Sequence, residues 1–156
     1  MECRELGAGD AAALLPLYIG YYNRHEEGQW TEESAGRRIR QVLGMDGGWG
    51  LALMEAGEPL GFAMGYFKPY DDLTSFVLEE IVVAGERQGQ GLGTRLLAET
   101  ERRVRARGAA GVELQAVNSP LHAHFYQKAG YGDAKNFVLK VKWFPAGQPE
   151  ADGPPH

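Results

Sequence analysis

Three glycines at alternate positions, Gly89, Gly91 and Gly93, stand where an apolar run ends and a helical pattern begins, a placement suited to holding an anion. Glycine lets the chain turn sharply and brings backbone N–H groups close to a ligand, while a helix start adds unbonded amide donors and the positive end of its dipole. A diphosphate fits such a cradle. A glycine triplet alone serves a plain strand-to-helix turn equally well, so spacing has to discriminate. A dinucleotide fingerprint, G-x-G-x-x-G counted from Gly89, ends on Thr94. Arg105 or Arg107 then stand where an acidic ribose ligand belongs, roughly 20 residues on. A nucleotide P-loop ends in Gly-Lys-Ser/Thr, whereas this chain reads Gly93-Thr94-Arg95. What remains is Gln88-x-x-Gly91-x-Gly93 after an apolar strand.

The elements that must position this loop follow from periodicity. Asp10 caps an amphipathic helix over AAALLPLYIGYYNRHE, in which Pro16 predicts a kink or a later start. A second helix opens at Thr31 with Ile39, Val42 and Leu43 on its apolar face. Runs over 50–55, 60–67 and 76–83, separated by the turn clusters EAGEP and KPYDD, read as an antiparallel meander. Leu92, Leu96, Leu97 and Val104 recur at helical spacing up to Arg107, and Gly108 supplies the stop. A strand over 111–117, a short helix over 120–128 and an alternating segment over 137–143 complete the pattern, the last predicted as a strand. Residues 1–144 form one expected domain, and 145–156 a Pro/Gly-rich tail that cannot bury itself. The predicted class is α/β, a mixed sheet with helices on its faces.

Composition narrows the partners. The chain has 156 residues, 16 Lys and Arg against 21 Asp and Glu, and a formal net charge of −5. A nucleic-acid phosphate backbone is repelled on average, so DNA and RNA are not expected. The basic residues concentrate after Tyr70, where an anionic ligand would belong. Cys3 is the only cysteine, and His122 and His124 lie two apart, not at the three- or four-residue spacing of helical ligand pairs. No metal is expected. The start MECRELGAGD has no apolar core, and no run approaches the ~18 residues of a membrane span, which reads as cytoplasmic with no membrane partner.

The strand LEEIVV, loop ERQGQGLG, helix TRLLAETERRVRARG, strand VELQAVN and ending AHFYQKAGY, in that order, resemble the acyl-CoA core of the GNAT superfamily of N-acetyltransferases. The resemblance implies a GNAT-like fold, a central, mostly antiparallel sheet flanked by about four helices, and acetyl-CoA as cosubstrate. It places the CoA diphosphate on the amides of Gln88, Gly89, Gln90, Gly91, Leu92, Gly93 and Thr94. The pantetheine arm would run along Ile81, Val82 and Val83, and Asn118 would touch it from the other side. Gln88 stands where arginine is commoner in the family, and about one extra residue separates Asn118 from Tyr126.

Moving an acetyl group from a thioester to an amine needs a proton acceptor and a group that steadies the departing thiolate. The resemblance sets Glu79 and Glu80 beside the thioester. Strand alternation lets only one of them enter the cleft unless a bulge intervenes; Glu79 is favoured as base, with Glu80 the alternative base or cation anchor. Otherwise both simply flank a strand end and meet solvent. Tyr126 is the implied proton donor to sulfur; without the resemblance it and Phe125 read as core aromatics. Arg102, Arg103, Arg105 and Arg107 suit either the adenosine phosphate or the helix dipole, the latter preferred. Tyr21, Tyr22, Asn23, His25, Glu26, Trp30, Tyr70, Asp71 and Asp72 fall in segments the family turns toward the acceptor, a mix of aromatics and acids that suits a cationic amine. The expected activity is acetylation of a primary amine of a small molecule, polyamine-like or aminoglycoside-like, or of a protein. A non-catalytic acyl-CoA-binding regulatory module is the alternative, and a homodimer, paired through an edge near 137–143, is open.

Overall fold

The computed structural model describes residues 1–145. The elements run β1 (Glu2–Leu6), α1 (Ala11–His25), α2 (Glu32–Gly44), β2 (Gly48–Glu55), β3 (Glu58–Pro69), β4 (Thr74–Val83), α3 (Leu92–Ala106), β5 (Gly111–Leu114) and α4 (Pro120–Lys128). One five-stranded sheet has the order β1-β2-β3-β4-β5. Its first three pairings are antiparallel and β4 with β5 is parallel, which requires the crossover through α3. The mixed α/β class and the mostly antiparallel sheet with four α-helices are as expected.

Each face of the sheet carries its own apolar layer. Leu14 and Tyr18 of α1 and Ile39 and Val42 of α2 pack on Ala52, Phe62, Met64 and Val82. Leu96, Leu97 and Val104 of α3 cover Leu51, Leu53, Ala63, Phe76 and Leu78 on the other side. Because successive strand residues point to opposite faces, strands covered on both sides need unbroken apolar runs, as in GWGLALME and LGFAMG.

Local sequence sets the boundaries. Thr31 Oγ1 accepts from the Ser34 amide at 3.1 Å while Ser34 Oγ accepts from the Thr31 amide at 3.0 Å, a reciprocal cap that starts α2. Ser119 caps α4 and Pro120 follows at its first position. In the β2–β3 connection Ala56 and Gly57 both have positive φ, 52° and 80°, the backbone of a two-residue turn whose twist matches the strands.

The structure departs from the sequence expectations at several elements. Of the two outcomes expected at Pro16, a kink or a later start, the later start does not occur: α1 is helical from Ala11 through His25 with Pro16 inside it. The front of the chain is not purely helical: ECREL forms edge strand β1 on β2, which its largely polar, exposed side chains concealed. The segment 137–143 is not a strand. Phe137 is 72% exposed and Val138 75%, and no strand among the described residues pairs with it. Alternating character belongs to the segment itself, whereas a strand exists only when a neighbour takes its N–H and C=O groups. Strand β5 is also shorter than 111–117, ending at Leu114. Apart from Pro145, the expected tail lies outside the described residues.

Opposite β4, the register of β3 shifts between Met64, which faces Glu80, and Gly65, which faces Leu78. Glu79 is thus one extra residue, a β-bulge. A Cβ on Gly65 would collide with the Val77 carbonyl oxygen and press on Phe76. Gly65→Ala is therefore expected to lose about 3 kcal/mol in chemical denaturation. Gly20→Ala in α1, where an added Cβ meets nothing within 4 Å, should gain about 0.5–1 kcal/mol in the same assay.

Candidate active site

Pairing between β4 and β5 ends at Leu78 opposite Leu114, one residue before the bulge. Strand β4 continues to Val83, while the chain after β5 turns away through Gln115, Ala116 and Val117. The two segments bound a cleft of about 450 Å³, with Ile81 and Val83 on one wall and Phe125 and Tyr126 of α4 on another. Beyond Leu78 the β5-facing edge of β4 has no strand partner among the described residues.

One end of the cleft is the glycine-bearing loop. Gly89 and Gly91 have φ of 80° and 75°, and Gly91 is the residue from which α3 starts. Nothing lies within 4 Å of a Cβ built on either, so their backbone conformation, not crowding, requires glycine. The loop's entrance is fixed by Arg87, whose guanidinium donates to Glu55 at 2.8 Å and to the Gln90 side chain at 3.0 Å. The helical ladder begins with the Arg95 amide on the Gly91 carbonyl. Among the described residues, none of the six amides of Gly89, Gln90, Gly91, Leu92, Gly93 and Thr94 finds an acceptor. Six consecutive free donors at a helix start make an anion cradle.

The other end is acidic and aromatic. The hydroxyls of Tyr18 and Tyr22 donate to the Glu80 carboxylate at 3.2 and 3.1 Å. Burial pushes the Glu80 carboxyl above the usual carboxylate range, against the opposing pull of Arg38 and the two hydroxyls. The same burial, with the Glu80 charge, raises both phenols. Glu79 pairs with Arg38 at 3.7 Å and is more exposed. The bulge lets both carboxylates reach the cleft wall, which strict alternation forbids. Tyr126 lies on the wall with its ring 5.6 Å from that of Tyr131, its hydroxyl has no partner among the described residues, and desolvation pushes its pKa up to about 12.

The structure thus gathers Glu79, Glu80, Ile81, Val83, Gln88, Gly89, Gly91, Leu92, Gly93, Thr94 and Tyr126 around one cleft. Val82 points instead into the core beneath α1 and α2, Gln90 turns to Arg87, and Asn118 is exposed one residue past the wall. Of the expected acceptor segments, Tyr21, Tyr22 and Glu26 reach the cleft. Asn23 spans to the backbone of Trp30, and Tyr70 bonds Glu113. The basic end of α3 is engaged by acids, with Arg102 and Arg103 on Glu99 and Arg107 on Glu5. Tyr18 and Arg38 escaped the sequence reading, although the four-residue spacing of Tyr18 and Tyr22 put both on one helix face. No group of three or more His, Cys, Asp or Glu that could hold a metal occurs among the described residues, and no described helix is long and apolar enough to cross a membrane.

Residues 12–131 match the family described as Acetyltransferase (GNAT) family. The chain belongs to the GNAT acetyltransferase family. Solved structures of the same fold include a ribosomal-protein-alanine N-acetyltransferase from Brucella melitensis biovar Abortus 2308, 18% identical, covering 92% of this chain and 100% of the other with a TM-score of 0.72. An aminoglycoside N-acetyltransferase in complex with CoA is 16% identical, covering 90% and 93% with a TM-score of 0.69. A transcriptional regulator from Bacillus halodurans C-125 is 19% identical, covering 91% and 99% with a TM-score of 0.73. No curated protein matches the sequence of this GNAT member.

The raised Glu80 carboxyl has a stability consequence. The folded state holds its proton more tightly than the unfolded one, so its contribution to stability falls as pH rises from the unfolded value near 4.5 through the higher folded value. Glu80→Gln removes that titration and keeps an oxygen for the two phenols. Melting temperatures of both proteins from pH 4 to 8 are expected to shift in favour of the variant as pH rises.

Proposed function

We propose that this GNAT member transfers the acetyl group of acetyl-CoA to a primary amine of a small molecule, polyamine-like or aminoglycoside-like, or of a protein. The observation that carries the reading is the run of six free amides at the start of α3, opening onto a cleft that also holds Glu80 and Tyr126. Those amides would hold the diphosphate, with Gln88 contributing through its side chain, because its own amide already donates to the Gly85 carbonyl at 3.3 Å. The unpaired edge of β4 at Ile81, Val82 and Val83 would take the amides of the pantetheine arm as a further strand would, with Asn118 a contact from the far side. When bound, acetyl-CoA supplies an acetyl thioester, whose transfer forms one C–N bond, breaks one C–S bond and moves one proton from nitrogen to sulfur.

The chain's own groups then have distinct work. An alkylammonium titrates near pKa ~10.4, so it must lose a proton before it can attack. Glu80 accepts that proton, directly or through water. Its raised pKa makes it a stronger base than an ordinary carboxylate, and Tyr18 and Tyr22 hold it in place. This favours Glu80 for the role the sequence suggested for Glu79, which is the more exposed of the two and has neither phenol on it. Tyr126, at about 12, is a weaker acid than a thiol at ~8.5. Even a free phenol, at about 10, is a weaker acid than a thiol, so outright proton transfer from phenol to thiolate runs uphill. Tyr126 therefore keeps its proton and steadies the departing thiolate as a hydrogen-bond donor, while the proton that ends on sulfur comes from the amine nitrogen. An idle acyl-CoA-binding module would share the loop but leave the Tyr126 hydroxyl and Glu80 without a task.

Calorimetric titration with acetyl-CoA tests the cradle, and no heat would overturn the reading. Gly91→Ala forces a side chain into positive φ and is expected to raise the acetyl-CoA KM by about tenfold or more, as a cost of about 1–2 kcal/mol implies. Tyr126→Phe should lower kcat by roughly 100-fold with acetyl-CoA binding unchanged, read as thiol release over a panel of amines. An unaltered rate would remove Tyr126 from the mechanism.

A further inference from the structure

Where α1 ends, Glu26 occupies the terminal cap position. Its side chain is only 15% exposed and lies on the cleft wall. Two features make a carboxylate costly there. The C-terminal end of a helix carries the negative pole of its dipole, which repels an anion, and a carboxylate withdrawn from water needs a counter-charge. Among the described residues no Lys or Arg comes within 4 Å of it; the basic side chain beside it is the His122 imidazole, with Nε2 at 3.4 Å.

His122 is itself held. Ser119 Oγ accepts from the His122 backbone amide at 3.3 Å and lies 2.7 Å from His122 Nδ1. With the serine oxygen taking the amide proton, its own hydroxyl proton is free to go to Nδ1, and the ring proton then sits on Nε2, toward Glu26; this tautomer is assigned from the network. Ser119 and His122 belong to the first turn of α4, so the chain Ser119–His122–Glu26 spans the cleft from α4 to α1. Its effect is to point one carboxylate into the cleft, with Tyr21 and Tyr22 beside it. Glu80 serves the reacting nitrogen, which leaves Glu26 for a different charge.

We infer that Glu26, positioned by Ser119 and His122, binds a second ammonium of the acceptor, one that is not acetylated, so that the substrate is a diamine or longer polyamine. This rests on the acetyltransferase reading and narrows it. Tyr21 and Tyr22 line the same cleft, and an aromatic lining suits a cation. Glu26 is the specificity-determining group and His122 the positioning residue.

The test is calorimetry of 1,4-diaminobutane and of butylamine titrated into the protein saturated with CoA. The diamine is expected to bind about tenfold tighter than butylamine, as for one partly buried charge pair. Glu26→Gln should abolish that preference while leaving butylamine binding within about twofold. His122→Phe should lose most of the preference and His122→Gln, which keeps an N–H donor, should retain more of it, a rescue that a merely structural role would not give. In turnover, Glu26→Gln should raise the diamine KM with kcat nearly unchanged. Equal binding of the two amines, or loss of both alike in Glu26→Gln, would overturn this inference and leave the acetyltransferase reading standing. If CoA itself gives no heat, both fall.

Discussion

One extra residue in β4 organises the functional half of the molecule. Up to Leu78 the strand is an ordinary member of the sheet, paired with β3 on one side and β5 on the other. At Glu79 the bulge bends it, β5 no longer follows, and a strand edge is left free inside the protein rather than at its rim. A backbone edge without strand partners leaves donors and acceptors unspent, and on the function proposed above a guest with amide groups of its own would take them up. The same bend turns two successive acids toward one cavity and aims β4 at the loop that precedes α3. Gly65 makes the bend possible because no side chain fits against the Val77 carbonyl.

The two ends of the cleft are opposites in charge. At one end the donors are main-chain amides, which carry no net charge and cannot titrate, so an anion seated there would need no buried cation. This suits a loop in which Gln88 stands in place of arginine. At the other end the carboxylates differ by environment: Glu80 is withdrawn from water and shared between two phenols, Glu79 is tied to Arg38 and reaches solvent, and Glu26 lies beside an imidazole. Carboxyl groups set apart in this way can take different parts in one reaction.

Much of this was legible in the chain. The loop motif, the Thr31 and Pro120 helix starts, and the periodicity of α3 all rest on interactions between near neighbours, and so does the antiparallel meander in its apolar runs. What escaped depends on partners distant in sequence. The bulge is a relation between Gly65 and Glu79, and nothing in LEEIVV alone announces it. Arg38 lies forty-one residues from Glu79. Strand β1 hides because an edge strand with exposed polar side chains carries little pattern, while 137–143 deceives for the opposite reason, carrying a strong pattern with no neighbour to complete it. For the site, the sequence named both glutamates and Tyr126, but the division of labour proposed for them rests on burial and hydrogen bonding that only the fold supplies.

That unpaired run has a bearing on colloidal behaviour. Phe137, Val138, Leu139, Val141 and Phe144 present apolar area to water, and the outer side of β5 offers a ladder of unused backbone groups among the described residues. Such a combination invites copies to zip together in open-ended fashion. Lys140 and Lys142 interrupt the run at alternate positions, so two such segments drawn side by side meet with like charges. These lysines act as gatekeepers whose restraint weakens as added salt screens them.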